Sequence, residues 1–265
     1  MNDICLELVK RGFKVSVVTG IPNYPEGEFY KGYDWKNRRQ ENWEGIEIYR
    51  MPIFARGKKK IGLIFNYSSF VLTSRLLESK LPKDIDLVFT YEVSPMTQAL
   101  PAVWYAKKLN VPHIIYVMDL WPENVQAVAN IKNGFLLNRI DDMVDYIYEK
   151  SSLILASSSS FVYSIARRGI EQSKIKFWPQ YTEELYTVKD SSNNEVDVQD
   201  IKERTFVFAG NIGEAQGLRL LPTAAEKLMK QGIDFKFVII GDGRDKENLI
   251  KQVRLYCLCS SFFEC

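Results

Sequence analysis

Two short stretches carry residue types that can do chemistry. Asp119-Leu120-Trp121-Pro122-Glu123 follows an apolar run and sets two carboxylates around a tryptophan and a proline. A carboxylate at a strand end can orient a sugar hydroxyl or take its proton. Glu123 can share that role or cap the next segment. The plainer alternative makes Asp119 a helix N-cap and Trp121 a core residue. The second stretch, Phe206–Gly217, reads Phe-Val-Phe-Ala-Gly-Asn-Ile-Gly-Glu-Ala-Gln-Gly. Its aromatic and β-branched start predicts a buried strand. It breaks at Gly210 and Gly213 and opens a helical pattern from Leu218. Strand, glycine turn and helix start aim backbone N–H groups at a phosphate, and the helix end adds partial positive charge.

Other chemistries find little support. The turn at Gly210, Gly213 and Gly217 lacks the G-x-G-x-x-G spacing of a dinucleotide fingerprint and the Lys-Ser/Thr ending of a Walker loop. Gly241-Asp242-Gly243 follows a strand and reads as a strand-to-helix turn or as a second phosphate contact. The one histidine, His113, sits at a strand start, away from the ligand end of a parallel sheet. Ser-His-Asp and Cys-His catalysis are thereby disfavoured, and no metal-ligand cluster is visible. Of four cysteines, Cys257, Cys259 and Cys265 crowd the last nine residues, Cys5 stands apart, and no C-x-x-C pair occurs. The tail from Arg254 to Cys265 has no usable periodicity.

These turns must be positioned by an alternating α/β frame. An amphipathic helix is predicted over 3–11 and a strand over 15–19. Residues 20–45 predict a long ordered loop rich in aromatics, and a strand follows over 45–51. Strands at 86–90, 111–118, 152–156 and 174–178 interleave with helices at 96–109, 138–150 and 160–168. A second series runs strand 205–209, helix 217–230, strand 235–240 and helix 245–253. Alternation of this kind predicts a largely parallel sheet in each of two doubly wound, Rossmann-like domains. The boundaries fall at 1–180, a polar linker or exposed loop at 181–203, and 204–265. A doubly wound domain opens with a strand and a glycine turn. Here a helix comes first, so the expected frame begins one strand late.

Composition bounds the rest. The 265 residues suggest about two domains at roughly 150 residues each. With 35 basic against 33 acidic side chains the formal charge is +2, so nothing in bulk argues for nucleic acid. No apolar run approaches the ~20 residues needed to span a bilayer, and no signal peptide is recognisable; a cytoplasmic protein is expected. Arg56, Lys58, Lys59 and Lys60 lead an apolar helix. Such a segment suits an anionic membrane surface, or it is a core helix behind a solvated charged turn.

Four stretches together resemble the bacterial glycosyltransferases of family 4, which have the GT-B fold, and in particular the WbuB-like subgroup of O-antigen and capsule sugar transferases. They are Val17-Val18-Thr19-Gly20-Ile21-Pro22-Asn23-Tyr24-Pro25, Asp119-Leu120-Trp121-Pro122-Glu123, Phe177-Trp178-Pro179-Gln180 and Phe208–Gly217. The resemblance covers nearly the whole chain to about Val253. It implies transfer of a sugar from a nucleotide diphosphate, UDP-linked, with retention and without cofactor or obligatory metal. The sugar is expected to be an N-acetylated amino or deoxy sugar. Asp119 and Glu123 are the implied catalytic residues. Gly210, Asn211, Gly213, Gln216, Gly217, Gly241 and Gly243 are the implied donor contacts. Asn23, Tyr24, Glu92, Ser94 and Trp121 are the implied acceptor contacts. The acceptor would be a polyprenyl-diphosphate-linked glycan at the cytoplasmic face of the inner membrane, with Arg56–Lys60 touching that membrane and no nucleic acid involved.

The likeness also marks departures. Family members carry an arginine and a lysine on the diphosphate where this chain has Asn211 and Gln216. The first strand and its glycine loop are missing, and the E-x7-E segment that holds sugar and ribose would lie beyond residue 265. The donor domain is thus expected to be incomplete. The alternative expectation is an inactive fragment, at most a binding module.

Overall fold

The computed structural model describes residues 1–24, 26–57, 60–125, 134–182, 204–243, 245–255 and 263–264. They fall into two compact units, residues up to 182 and residues from 204.

In the first unit, α1 (Asn2–Lys10) turns Cys5 inward and leads to β1 (Ser16–Gly20). β1 pairs in parallel with β3 (Ile46–Met51), which pairs antiparallel with β2 (Gln40–Trp43). β2 lies inside the expected long loop. Its polar sequence shows no alternation, but Glu44 and Gly45 both take positive φ and form the two-residue turn of a hairpin.

The other sheet of this unit is fully parallel, in the order β4 (Val88–Glu92), β5 (His113–Val117), β6 (Leu153–Ala156), β7 (Ile175–Phe177). β5 is central, flanked by strands on both sides, which explains its run of apolar residues. Ile115 and Val117 join Val103 of α3 (Ala99–Leu109) and Val144, Ile147 and Tyr148 of α4 (Gly134–Lys150) in one core. α5 (Ser159–Ala166) adds Ile165. The single sheet expected for this domain is therefore two sheets. β1 and β4 are both edges, and no strand among the described residues joins them.

α2 (Lys60–Leu77) is inverted relative to an ordinary surface helix. It buries Asn66, Ser69 and Ser74, while Ile61, Ile64, Phe65, Leu72 and Leu76 are 56–67% exposed. The buried polar groups are held by the chain before the helix. Asn66 Nδ2 donates to the Phe54 carbonyl at 2.6 Å, and the Phe54 amide donates to Ser69 Oγ at 3.0 Å. The core-helix alternative thus fails for the apolar side of α2.

The second unit has one parallel sheet, β10 (Phe263–Glu264), β9 (Lys236–Ile240) and β8 (Thr205–Ala209). α6 (Leu221–Lys230) and α7 (Lys246–Leu255) complete it. Ile212, Leu218, Ile239 and Leu249 form one cluster, and Ala225, Phe235 and Phe237 another. The buried strand expected at 205–209 is instead an edge strand. Phe206 is 53% and Val207 61% exposed.

Candidate active site

In the first unit the carboxyl ends of β4 and β5 are tied together through Ser94. The Ser94 amide donates to Asp119 Oδ2 at 3.1 Å. Its hydroxyl oxygen accepts from Trp121 Nε1 and from Asn124 Nδ2, each at 3.1 Å. Asp119 is therefore no helix cap. It is a half-buried carboxylate clamped at a strand end by the loop of the neighbouring strand. Trp121 is half-buried and packs against the core. Glu123 is exposed.

Glu92 corrects an expectation. It is the last residue of β4, not part of the loop, and it is fully buried, so it offers no atom to an acceptor. Burial pushes its carboxyl up to about 8, against the opposing pull of the Asp119 and Met118 amides. The acid is therefore neutral at pH 7. Its Oε2 lies 3.4 Å from the Asp119 amide, while Oε1 has no partner among the described residues. Glu92 thus supports the Asp119 turn from beneath.

His113 is buried at the opposite end of β5, as its place in the sequence predicts. Its Nε2 lies 2.8 Å from Thr90 Oγ1 and its Nδ1 3.0 Å from Ser151 Oγ. Burial lowers its pKa to about 4, so the ring is neutral.

A cleft of about 340 Å³ opens beside Ser94. It brings together Asn23, Tyr24 and Ser94, three of the expected acceptor residues; Asp119 and Trp121 bond to Ser94 without lining the cleft themselves. Asn23 is itself structural. Its Nδ2 donates to the Ile21 carbonyl at 2.8 Å and its Oδ1 accepts the Arg56 amide at 3.1 Å. Arg56, Asn66 and Tyr67 also line the cleft and were not expected there. The only sequence hint is Gly62. A Cβ on Gly62 would meet the Arg56 carbonyl at 2.2 Å, so glycine is needed for α2 to approach this loop. Arg56 lines the cleft. Lys58, Lys59 and the side chain of Lys60 lie outside the described residues.

The glycine turn of the second unit differs from a ready cradle. The amides of Gly210 and Ile212 donate to Ile240 and Asp242 carbonyls at 2.9 and 2.8 Å. Those of Gly213, Gln216 and Gly217 are bonded within the turn. Two 3-10 turns, Glu214–Gln216 and Leu218–Leu220, separate the glycines from α6, so the helix dipole starts later than the sequence predicts. Asn211 and Gln216 are exposed, and their amide side chains converge over Gly213. A Cβ on Gly241 would sit 1.9 Å from the Gly210 carbonyl, and one on Gly243 2.2 Å from that of Ile212. Both glycines thus have a packing reason independent of any ligand. Among the described residues no group of three His, Cys, Asp or Glu is placed to hold a metal.

Residues 1–180 match the pattern of Glycosyltransferase Family 4. The chain belongs to glycosyltransferase family 4. Escherichia coli strain K12 has a relative, named as the colanic acid biosynthesis glycosyl transferase WcaI, which is 23% identical over 93% of this chain. This family 4 chain spans 62% of the length of that relative. Among solved structures, sucrose-phosphate synthase from Thermosynechococcus elongatus superposes with a TM-score of 0.63 at 15% identity, covering 99% of this chain and 63% of its own. Anabaena Alr3699/HepE, solved with UDP and glucose, gives 0.53 at 13%, covering 84% and 57%. At such identities these likenesses concern the fold, an α/β fold of the GT-B type with parallel sheets.

Proposed function

We propose that this chain is the acceptor side and part of the donor side of a retaining glycosyltransferase of surface polysaccharide synthesis. The donor is a UDP-linked sugar, an N-acetylated amino or deoxy sugar as in the WbuB-like subgroup. The acceptor is a polyprenyl-diphosphate-linked glycan. The observation that carries this reading is Asp119, a half-buried carboxylate held at the end of β5 by the amide of Ser94, itself a wall residue of the cleft, in a family 4 chain. There it can orient a sugar hydroxyl or accept its proton. Gly210–Gly217 takes the donor diphosphate, with Asn211 and Gln216 supplying neutral amide donors. The names of the relatives, one in colanic acid biosynthesis and one solved with UDP and glucose, support the donor and pathway class.

The enzyme works at the cytoplasmic face of the inner membrane. What supports this is the inverted α2, whose exposed apolar side is extended by edge-on ring contacts of Phe54 with Phe65 and of Trp35 with Phe54. No described helix is long and apolar enough to cross a membrane. Sedimentation with anionic vesicles tests the contact. Ile64→Glu and the Lys58, Lys59, Lys60→Glu triple variant should each release the protein, and unchanged binding by both would remove the membrane face.

A second reading, a binding module without turnover, is favoured by the internally bonded amides of the glycine turn and by the uncharged side chains of Asn211 and Gln216. Nucleotide release from UDP-sugars by the purified chain decides between them. Release that depends on acceptor and is lost in Asp119→Ala supports transfer; its absence at every sugar tested leaves the binding module.

A further inference from the structure

We propose that the cleft beside Ser94 binds the phosphate head of an amphiphilic phosphoester, with Arg56 as its anion-binding group. This rests on the reading of the first unit as the side that takes a lipid-linked acceptor, and it names the residue and the recognition chemistry.

Among the described residues Arg56 is the one charged residue lining the cleft, and no carboxylate lines it. Among the described residues no acid lies within ion-pairing distance of its guanidinium. A half-buried cation without a counter-charge is a site for an anion, because desolvation has been met in advance and nothing competes for the charge. The guanidinium lies over the Tyr24 ring, 5.2 Å from its centroid. It also faces Tyr67, whose phenol burial pushes up while the Arg56 charge pulls it back. A guanidinium lying over a ring can still bond oxygens in its own plane.

The backbone beneath is held from three directions. The Arg56 amide donates to Asn23, the Gly57 amide donates to the Gly27 carbonyl at 2.8 Å, and the Arg56 carbonyl abuts Gly62. The backbone that carries the cation is therefore fixed, which reduces the entropy lost on binding. The same helix that walls the cleft with Asn66, Tyr67 and Phe70 presents Ile61, Ile64 and Phe65 outward. A ligand with a phosphate head and a hydrocarbon tail meets both surfaces, whereas a free anion meets only the first.

The test is direct binding to the purified chain, with geranyl diphosphate, inorganic pyrophosphate and geraniol as probes. It needs no turnover, so its failure is separable from failure of the transferase reading. Geranyl diphosphate should bind about tenfold or more tightly than either pyrophosphate or geraniol. Arg56→Ala should weaken it by about tenfold or more, and Arg56→Lys by less, because a lysine keeps the charge without the planar fork. Gly62→Ala, which displaces the Arg56 backbone, should weaken it while the protein stays folded by circular dichroism. Unchanged binding in Arg56→Ala overturns the assignment. Pyrophosphate binding as tightly as geranyl diphosphate overturns the amphiphile, and geraniol binding as tightly overturns the anion site.

Discussion

The backbone amide of Ser94 donates to Oδ2 of Asp119 across 25 residues of sequence, at 3.1 Å. Two adjacent parallel strands thereby deliver their end loops to one point, and the carboxylate is fixed by a backbone group that only proline at position 94 would remove.

Ser94→Ala should leave that bond in place but strand Trp121 Nε1 and Asn124 Nδ2. A loss of about 1–3 kcal/mol is expected in urea unfolding. Asp119→Asn keeps an oxygen to accept the Ser94 amide. Its stability should change by less than about 1 kcal/mol, while nucleotide release, if the proposed function holds, is abolished.

Glu92 makes stability depend on pH in a direction opposite to that of an ordinary paired carboxylate. Its carboxyl is raised from 4.5 to about 8. Between those values the folded protein keeps a proton that the unfolded chain releases, so stability falls as pH rises through this window. Glu92→Gln carries no such proton. Its advantage over the unsubstituted protein should therefore grow from pH 4.5 to pH 8, at no more than about 1.4 kcal/mol per pH unit, and then level off. A difference that stays flat from pH 5 to pH 9 contradicts the buried neutral acid.

His113 acts on the acid side. Its pKa is lowered from 6.5 to about 4. As pH falls from 6.5 toward 4 the unfolded chain gains a proton and the folded one does not, so stability is lost over that range. His113→Gln should shrink this acid-side slope in thermal melts, whatever its cost at neutral pH.

Gly241→Ala probes the joint between the two glycine turns. Its Cβ would lie 1.9 Å from a backbone oxygen that cannot swing aside. About 1–3 kcal/mol or more should be lost, measured as a lower urea midpoint. Gly232→Ala is the control for strain without a clash. That residue also has positive φ, but nothing lies within 4 Å of its added Cβ.

Much of the frame was legible in the sequence because periodicity reports burial. The apolar run at 113–117 marked a central parallel strand, and the position of His113 at its start marked a structural histidine. β2 escaped because its polar sequence is paired on one edge only, and its hairpin rests on a positive φ at Glu44 that side-chain type does not announce. Glu92 escaped because a carboxylate reads as exposed unless a neighbour is known to bury it.

The sequence by itself determined the alternating α/β order, the strand-end placement of Asp119 and the glycine positions, since each follows from local pattern and backbone sterics. Tertiary structure decided which atoms meet. It clamped Asp119 to Ser94, sank Glu92 beneath it and turned Arg56 into a cleft. It also tied the Gly210 and Ile212 amides to the Ile240 and Asp242 carbonyls and set the apolar side of α2 outward. The physical reason is that burial and hydrogen bonding depend on residues distant in the chain. A side chain's type fixes what it can bond, and only the packed fold fixes what it does bond.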